Sequence, residues 1–302
     1  MAAFSLISQG RSDNLHARKK SEVKVFMNGR HREDIRQKKS LGQVFLNTDW
    51  PVRKVVDTVH SWDVTKVIEI GPGGGILTRA LLSDGIHVTA VERDDRFAER
   101  LKDYYRVNAD KLKGHLEIVS EDILKFDLEQ WIKSNSNQKI AVVGNIPYYI
   151  SSPIVSWLLP HLHHLKGAQF LVQLEFAARL AGKVGTKDYG SLSVFTQLRA
   201  NVNIDCKVDR VCFTPKPKVD SALVSLKPKS DAPALEILNK VEALTKATFT
   251  QRRKMLRNAI KQFLSEDQMD QCPIDLTRRP DSIRPSEYIT LAEFVFDKTN
   301  EK

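Results

Sequence analysis

The run Val67-Ile68-Glu69-Ile70, closed by Gly71-Pro72-Gly73-Gly74-Gly75 and followed by apolar residues at helical spacing from Ile76 to Leu82, constrains this chain more than any other segment. A short apolar run bounded by turn residues reads as a buried strand, and the change of period after it reads as a helix. Glycines in such a turn let the backbone approach a ligand at the carboxyl edge of a sheet. A dinucleotide site calls for G-x-G-x-x-G, whereas Gly71, Gly73 and Gly75 make G-x-G-x-G, with Ile76 where the last glycine would stand. The spacing leans away from a pyrophosphate and suits an adenosyl ligand without one. A merely tight strand-to-helix connection is the plainer alternative, although three glycines exceed what a turn needs.

The same alternation continues on both sides. Val52, Val55, Val56 and Val59 mark a helix ending near Ser61-Trp62-Asp63. Strands are expected at 86–91, 116–119, 140–143 and 170–174, with a charged helix around 95–105. Val202 to Val211 and Ala222 to Leu226 read as strands near one edge. Strands alternating with helices imply right-handed crossovers and an α/β, Rossmann-like fold with a parallel sheet covered on both faces. From Pro233 onward the pattern is helical, with a helix from Val241 to Phe263 and a last one from about Pro285. A linker at Lys227 to Asp231 divides the chain into a basic extension at 1–39, a sheet domain at 40–230 and a smaller all-helical domain at 231–302.

At 302 residues, 41% apolar and 28% charged, the chain has the composition of a soluble globular protein of about two domains. It has no apolar run long enough to span a membrane and no secretory signal pattern, so a cytoplasmic location is expected. Cys206, Cys212 and Cys272 form no ligand-spaced pair, so no metal site is expected. The net charge of +10 points to a polyanionic partner. Residues 1–39 hold ten Lys/Arg against four Asp/Glu, a net of +6, which reads as a basic arm; a solvated terminus without a partner is the alternative. An organelle import peptide is disfavoured by Asp13, Glu22, Glu33 and Asp34.

Three further features carry chemistry. Glu92 ends the strand 86–91 about 20 residues past the glycine turn, where a carboxylate can accept from two ribose hydroxyls. Glu121-Asp122 follows the next strand, where a carboxylate can accept from an adenine amine, or Asp122 can simply cap a helix. Asn145-Ile146-Pro147-Tyr148 follows the strand at 140–143. An exocyclic amine is a poor nucleophile because its lone pair is delocalised into the ring. Acceptors for its N–H groups favour the tetrahedral, reactive geometry, and Asn145 Oδ1 with a carbonyl of the Ile-Pro segment can supply them. Tyr148 then offers a face for a flipped base. The alternative is an Asn-Pro turn with a core tyrosine.

In these motifs, and in Ser40-Leu41-Gly42-Gln43-Val44-Phe45-Leu46, Tyr149-Ile150-Ser151-Ser152-Pro153 and Val211-Cys212-Phe213-Thr214-Pro215-Lys216-Pro217-Lys218-Val219-Asp220-Ser221, the chain resembles the ribosomal-RNA adenine dimethyltransferases of the small-subunit branch. The match runs from about Lys38 to the C-terminus. The resemblance implies a class I methyltransferase sheet using S-adenosylmethionine, whose sulfonium already activates the leaving thioether, so no general base is needed before transfer. It implies that Gln43 and Leu46 line the cofactor site, with Gly71 at the methionine part, Glu92 at the ribose and Asp122 at the adenine. It assigns Asn145 to cofactor and target amine, Tyr148 to one face of the target adenine and Phe213 to the other. On pattern alone, Phe213 is an aromatic in a basic rim of Lys207, Arg210, Lys216 and Lys218, or a core residue. Val44 stands where the family usually has Asn or His, which removes a polar side-chain contact and leaves a main-chain one.

Phe249-Thr250-Gln251-Arg252-Arg253-Lys254 also resembles the family. On one helix Phe249, Leu256, Ile260 and Phe263 would share a core face, and Arg253, Arg257 and Lys261 another, for RNA phosphates or for solvent. Arg252, Arg253, Lys254 and Arg257 are the candidate RNA contacts. The function expected is dimethylation of two neighbouring adenines in a small-subunit rRNA hairpin, by a monomer acting on a pre-ribosomal subunit. A non-catalytic nucleic-acid-binding relative, serving ribosome assembly or mitochondrial transcription, would be expected to relax the set Glu92, Asn145, Tyr148 and Phe213. A large-subunit enzyme conferring antibiotic resistance is the third reading, to which the motifs after Tyr148 and at Gln251 to Lys254 conform less well.

Overall fold

The computed structural model describes residues 44–300, so the basic extension at 1–39 and Gln43 lie outside the described residues. The chain runs β1 (Phe45–Leu46), α1 (Trp50–Ser61), β2 (Lys66–Ile70), α2 (Ile76–Ser83), β3 (His87–Glu92), α3 (Asp95–Asn108) and β4 (Leu116–Ser120). It continues through α4 (Leu128–Ser134), β5 (Ile140–Asn145), α5 (Ser151–Leu158), β6 (Ala168–Gln173), α6 (Leu174–Leu180) and α7 (Ser191–Gln197). Then follow β7 (Ala200–Val208), β8 (Phe213–Thr214), β9 (Ser221–Pro228), α8 (Leu235–Thr250), α9 (Leu256–Ile260), α10 (Glu266–Asp270) and α11 (Pro285–Asn300).

Seven strands form one sheet in the order β4-β3-β2-β5-β6-β9-β7, and β1 pairs with β8 in a separate ladder. β4, β3, β2, β5 and β6 are parallel, while β9 enters antiparallel between β6 and β7. The strand order reverses between β2 and β5, which opens a crevice at their carboxyl ends, the usual ligand position in such sheets.

Alternation along the central strands explains their near-continuous apolar character. Val67, Ala141 and Val143 pack into the core that includes α1 and α2, whereas Ile68, Ile70, Ile140 and Val142 pack into the opposite core under α4 and α5. Successive side chains point to opposite faces, and both faces are covered, so neither register position tolerates a polar residue without a partner. Glu69 is therefore conspicuous within β2: it is buried and bonded to Thr78.

The structure departs from the expected organisation in three places. The segment after β7 leaves the sheet at Val208 and forms a short 3₁₀ turn at Arg210–Cys212 in place of a strand reaching Val211. The expected helix from Val241 to Phe263 is interrupted: α8 stops at Thr250, Met255 is extended, and α9 starts at Leu256. The break is stabilised from outside, because the Leu256 and Arg257 amides donate to the Arg278 and Leu276 carbonyls at 2.8 and 2.9 Å. Finally, the core of the C-terminal helices includes Tyr189, Val194 and Leu198 from before β7, so a division at residue 230 would leave that core incomplete. The Tyr189 hydroxyl donates to the Ile283 carbonyl at 2.7 Å, tying the same two parts together. All described residues lie within one compact unit, Lys38–Lys302.

Truncation of fully buried leucines on either side of the 230 boundary tests that sharing. Leu158→Ala in the sheet core and Leu244→Ala in the helical core should each cost about 2–5 kcal/mol. Each should lower the midpoint of one common urea transition seen by circular dichroism and by tryptophan fluorescence. Two separate transitions, only one of them moved by each variant, would show two independent cores.

Candidate active site

The glycine turn after β2 forms the floor of a cavity of about 230 Å³ at the carboxyl edge of the sheet. Gly71, Gly73 and Gly75 have φ of 62°, 50° and 72°, a region that side-chain-bearing residues rarely adopt, so the G-x-G-x-G spacing follows from the backbone path. A Cβ on Gly73 would lie 2.7 Å from Phe45 Cε1, while one on Gly71 would meet nothing within 4 Å. Gly71 thus faces open space in the cavity wall, which is where a ligand can lie against main chain.

Glu92 at the end of β3 lines this cavity and is 5% exposed. Its Oε2 accepts from the Gly73 amide at 3.0 Å and its Oε1 from the Asp94 amide at 2.8 Å. Burial pushes its carboxyl pKa up, and these two amides oppose the shift. Each oxygen keeps a lone pair for a ribose hydroxyl. Asp122 also lines the cavity. Its Oδ1 accepts from the Leu124 amide at 3.1 Å, and its Oδ2 lies 3.3 Å from the Arg93 guanidinium, so the turn-forming bond and exposure to the cavity coexist in one side chain. Leu46 and Val44 complete the wall.

The turn after β5, the strand beside β2, lines the same cavity. Asn145 Nδ2 donates to the Val44 carbonyl at 2.8 Å, which fixes the amide and leaves Oδ1 as an acceptor. The Ile146 amide donates to the Leu171 carbonyl at 3.2 Å, and the buried Ile146 side chain anchors the turn. The Pro147 carbonyl accepts from the Ile150 amide at 3.2 Å and from Ser151 Oγ at 3.2 Å, leaving the Ile146 carbonyl as the turn's candidate second acceptor. The Tyr148 hydroxyl pairs with Ser221 Oγ at 2.7 Å, and burial raises its pKa against that bond. Its half-buried ring lines the cavity.

Phe213 is not brought to this cavity. It is 2% exposed, opposite Leu46 in the β1–β8 ladder and packed in the core with Val208, Cys212 and Leu223. Pairing with β1 covers the ring, so in this arrangement it supports the wall carrying Val44 and does not offer a second stacking face.

The basic motif after α8 is likewise divided. Arg252 donates to the Lys187 and Thr186 carbonyls at 2.7 and 2.8 Å and meets Asp281 at 3.4 Å, a clamp between loops. Arg257 is paired with Glu266 and, at 3.3 Å, with Asp270. Arg253 and Lys254 are exposed and have no carboxylate partner among the described residues.

Sequence reasoning left Glu69 and Tyr149 unassigned, although both line the cavity. The signal for Glu69 was an acid within an otherwise apolar strand. Its Oε2 accepts from Thr78 Oγ1 at 2.6 Å, and burial, with Glu92 nearby, pushes its pKa up to about 7. Among the described residues no cluster of His, Cys, Asp and Glu could hold a metal ion, and no helix is long and apolar enough to cross a membrane.

The ribosomal RNA adenine dimethylase family model matches residues 35–296. A ribosomal RNA small subunit methyltransferase A from Francisella tularensis subsp. novicida is 38% identical over 260 residues, covering 85% of this chain and 97% of that relative. A dimethyladenosine transferase from Plasmodium falciparum shares the fold with a TM-score of 0.68 at 24% identity, over 85% of this chain and 98% of that one. The 23S rRNA methyltransferase ErmE aligns with a TM-score of 0.62 at 28% identity, over 83% and 99%.

The burial of Glu69 makes a prediction about stability. Its folded pKa lies above the unfolded value, so the folded state binds the extra proton between about pH 4.5 and 7 and loses stability as pH rises through that window. Glu69→Gln keeps an acceptor for Thr78 and removes the buried charge. It should raise the Tm at pH 8 by the equivalent of about 2–3 kcal/mol and change it little at pH 4.5. An equal effect at both pH values would show that ionisation of Glu69 is not the cause.

Proposed function

Because this chain belongs to the ribosomal RNA adenine dimethylase family, we propose that it transfers methyl groups from S-adenosylmethionine to N6 of two adjacent adenines in a small-subunit rRNA hairpin. The observation that carries the reading is the amide of Asn145: its Nδ2 is committed to the Val44 carbonyl, so its Oδ1 is the atom turned to an amine. The small-subunit assignment is supported by relatives of that name at 38% identity. A pre-ribosomal subunit as the substrate particle, a monomeric enzyme and a cytoplasmic location complete the proposal.

The residues present fit the cofactor. Gly71 offers bare main chain beside the methionine part, Glu92 offers carboxylate lone pairs to the ribose hydroxyls, and Asp122 offers an acceptor to the adenine amine. When bound, S-adenosylmethionine supplies a methyl group on a sulfonium, which leaves as a neutral thioether. Asn145 Oδ1 and the Ile146 carbonyl accept from the two N–H groups of the target amine, drawing its lone pair out of conjugation. The same two oxygens face the positive charge that develops on N6 and stabilise it. Transfer leaves a cationic methylated amine, which then releases one proton to water; one N–H remains for Asn145 Oδ1 or the Ile146 carbonyl to hold, and the second transfer is likewise followed by loss of that proton. The Tyr148 ring, fixed through Ser221, stacks on the flipped base and sets its height relative to the cofactor. Arg253 and Lys254 contribute phosphate contacts that position the RNA without reading sequence.

Asn145→Ala should lower methyl transfer by at least about a hundredfold while leaving RNA affinity within about twofold. The assay is transfer of labelled methyl groups to under-methylated small subunits, followed by mapping of the modified bases. RNA binding without label in any adenine by the unmodified protein would replace the enzyme by a binding factor.

A further inference from the structure

Tyr149 is a large aromatic that the mechanism above does not use. It is 54% exposed, yet it lines the same cavity as Asn145 and Tyr148. Exposure on this scale excludes a core role, and among the described residues its ring and hydroxyl have no hydrogen-bonding or ring partner. Its backbone, however, is firmly placed. Tyr148–Ile150 is one turn of 3₁₀ helix leading directly into α5, and the Pro147 carbonyl closes it by accepting from Ile150 and Ser151. In a 3₁₀ turn successive side chains diverge by about 120°. Tyr148 is directed to Ser221 at the start of β9, so Tyr149 is directed away from it, to the rim.

We propose that the ring of Tyr149 stacks on the nucleobase next to the target adenine. Drawing a base into the cavity unstacks it from its neighbour, which loses a covered face. An aromatic ring held at the mouth on a hydrogen-bonded turn replaces that face at little conformational cost, and it does so for any base. One turn of chain thereby holds two consecutive bases, the reacting one on Tyr148 and its neighbour on Tyr149. This arrangement suits a substrate in which two adjacent adenines are modified in succession, and in that respect it rests on the function proposed above. Tyr149 is then a positioning residue that lowers the cost of base flipping.

The test compares three enzymes, unmodified, Tyr149→Ala and Tyr149→Phe, on small subunits reconstituted with three RNAs: one with the intact hairpin, and two with the same hairpin made abasic at the nucleotide on one or the other side of a single target adenine. On intact RNA, Tyr149→Ala should reduce kcat/KM by about tenfold, equivalent to about 1.4 kcal/mol, and Tyr149→Phe should restore it. On one of the two abasic RNAs the unmodified enzyme and Tyr149→Ala should be equal, because the stacked partner is gone. Equal loss by Tyr149→Ala on all three RNAs would overturn the proposal and leave Tyr149 a structural role, and no loss on intact RNA would overturn it as well. Failure of the unmodified enzyme to label any RNA would instead refute the methyltransferase reading itself.

Discussion

The hydrogen bond from Asn145 Nδ2 to the Val44 carbonyl joins positions 101 residues apart and sets which atom of that amide is left without a main-chain partner. An amide side chain can present either its donor or its acceptor, and the choice here is made by a main-chain carbonyl on one side of the cavity. That carbonyl is in turn held by the β1–β8 ladder, by the Asn47 amide donating to the Cys212 carbonyl at 2.9 Å, and by the Asn47 side chain donating to Thr214 Oγ1 at 3.0 Å. Phe213 is itself a residue of this ladder, paired with Leu46 and with its side chain buried. The aromatic expected to touch the substrate is instead part of the packing behind the Val44 carbonyl.

The cofactor side of the cavity is built from main chain and buried acids. Gly71, Gly73 and Gly75 follow a left-handed path that only glycine adopts without strain, and the Gly73 amide is spent on Glu92. Glu92 and Glu69 sit close together at low exposure, and burial disfavours ionisation of both. Such a pair costs stability in the empty protein, a cost usually found where a site is arranged for a ligand of complementary charge.

Much of this was legible because it is local. The G-x-G-x-G turn, Glu92 at a strand end and the Asn145 to Tyr148 turn are each specified within a few residues, and the period-2 and period-3.6 patterns placed the elements around them. What was not legible depends on distant partners. Helical spacing alone joined Phe249 to Phe263, but the carbonyls of Leu276 and Arg278 break that helix, and the break removes Arg253 from a common stripe with Arg257. Charge alone grouped Arg252 with Arg253, but Thr186, Lys187 and Asp281 claim the first. Phe213 looked like an exposed platform because its sequence neighbours are basic; its cover comes from β1, more than 160 positions away.

These differences divide the site by the kind of atom that does the work. For the cofactor contacts proposed above, the groups come from backbone and from acids held by backbone, so a side-chain change such as Val44 in place of a polar residue leaves the carbonyl that holds Asn145 in position. For the RNA contacts proposed above, the available groups are exposed side chains, Tyr149, Arg253 and Lys254, carried on hydrogen-bonded turns. Phosphate contacts and base stacking are tolerant of sequence. On the proposed function, discrimination falls to the turn itself, where a base without an exocyclic amine leaves Asn145 Oδ1 and the Ile146 carbonyl unpaired in a half-buried site. Guanine stacked in the same orientation would present its O6 carbonyl, an acceptor, to these two acceptors in place of the N6 amine of adenine.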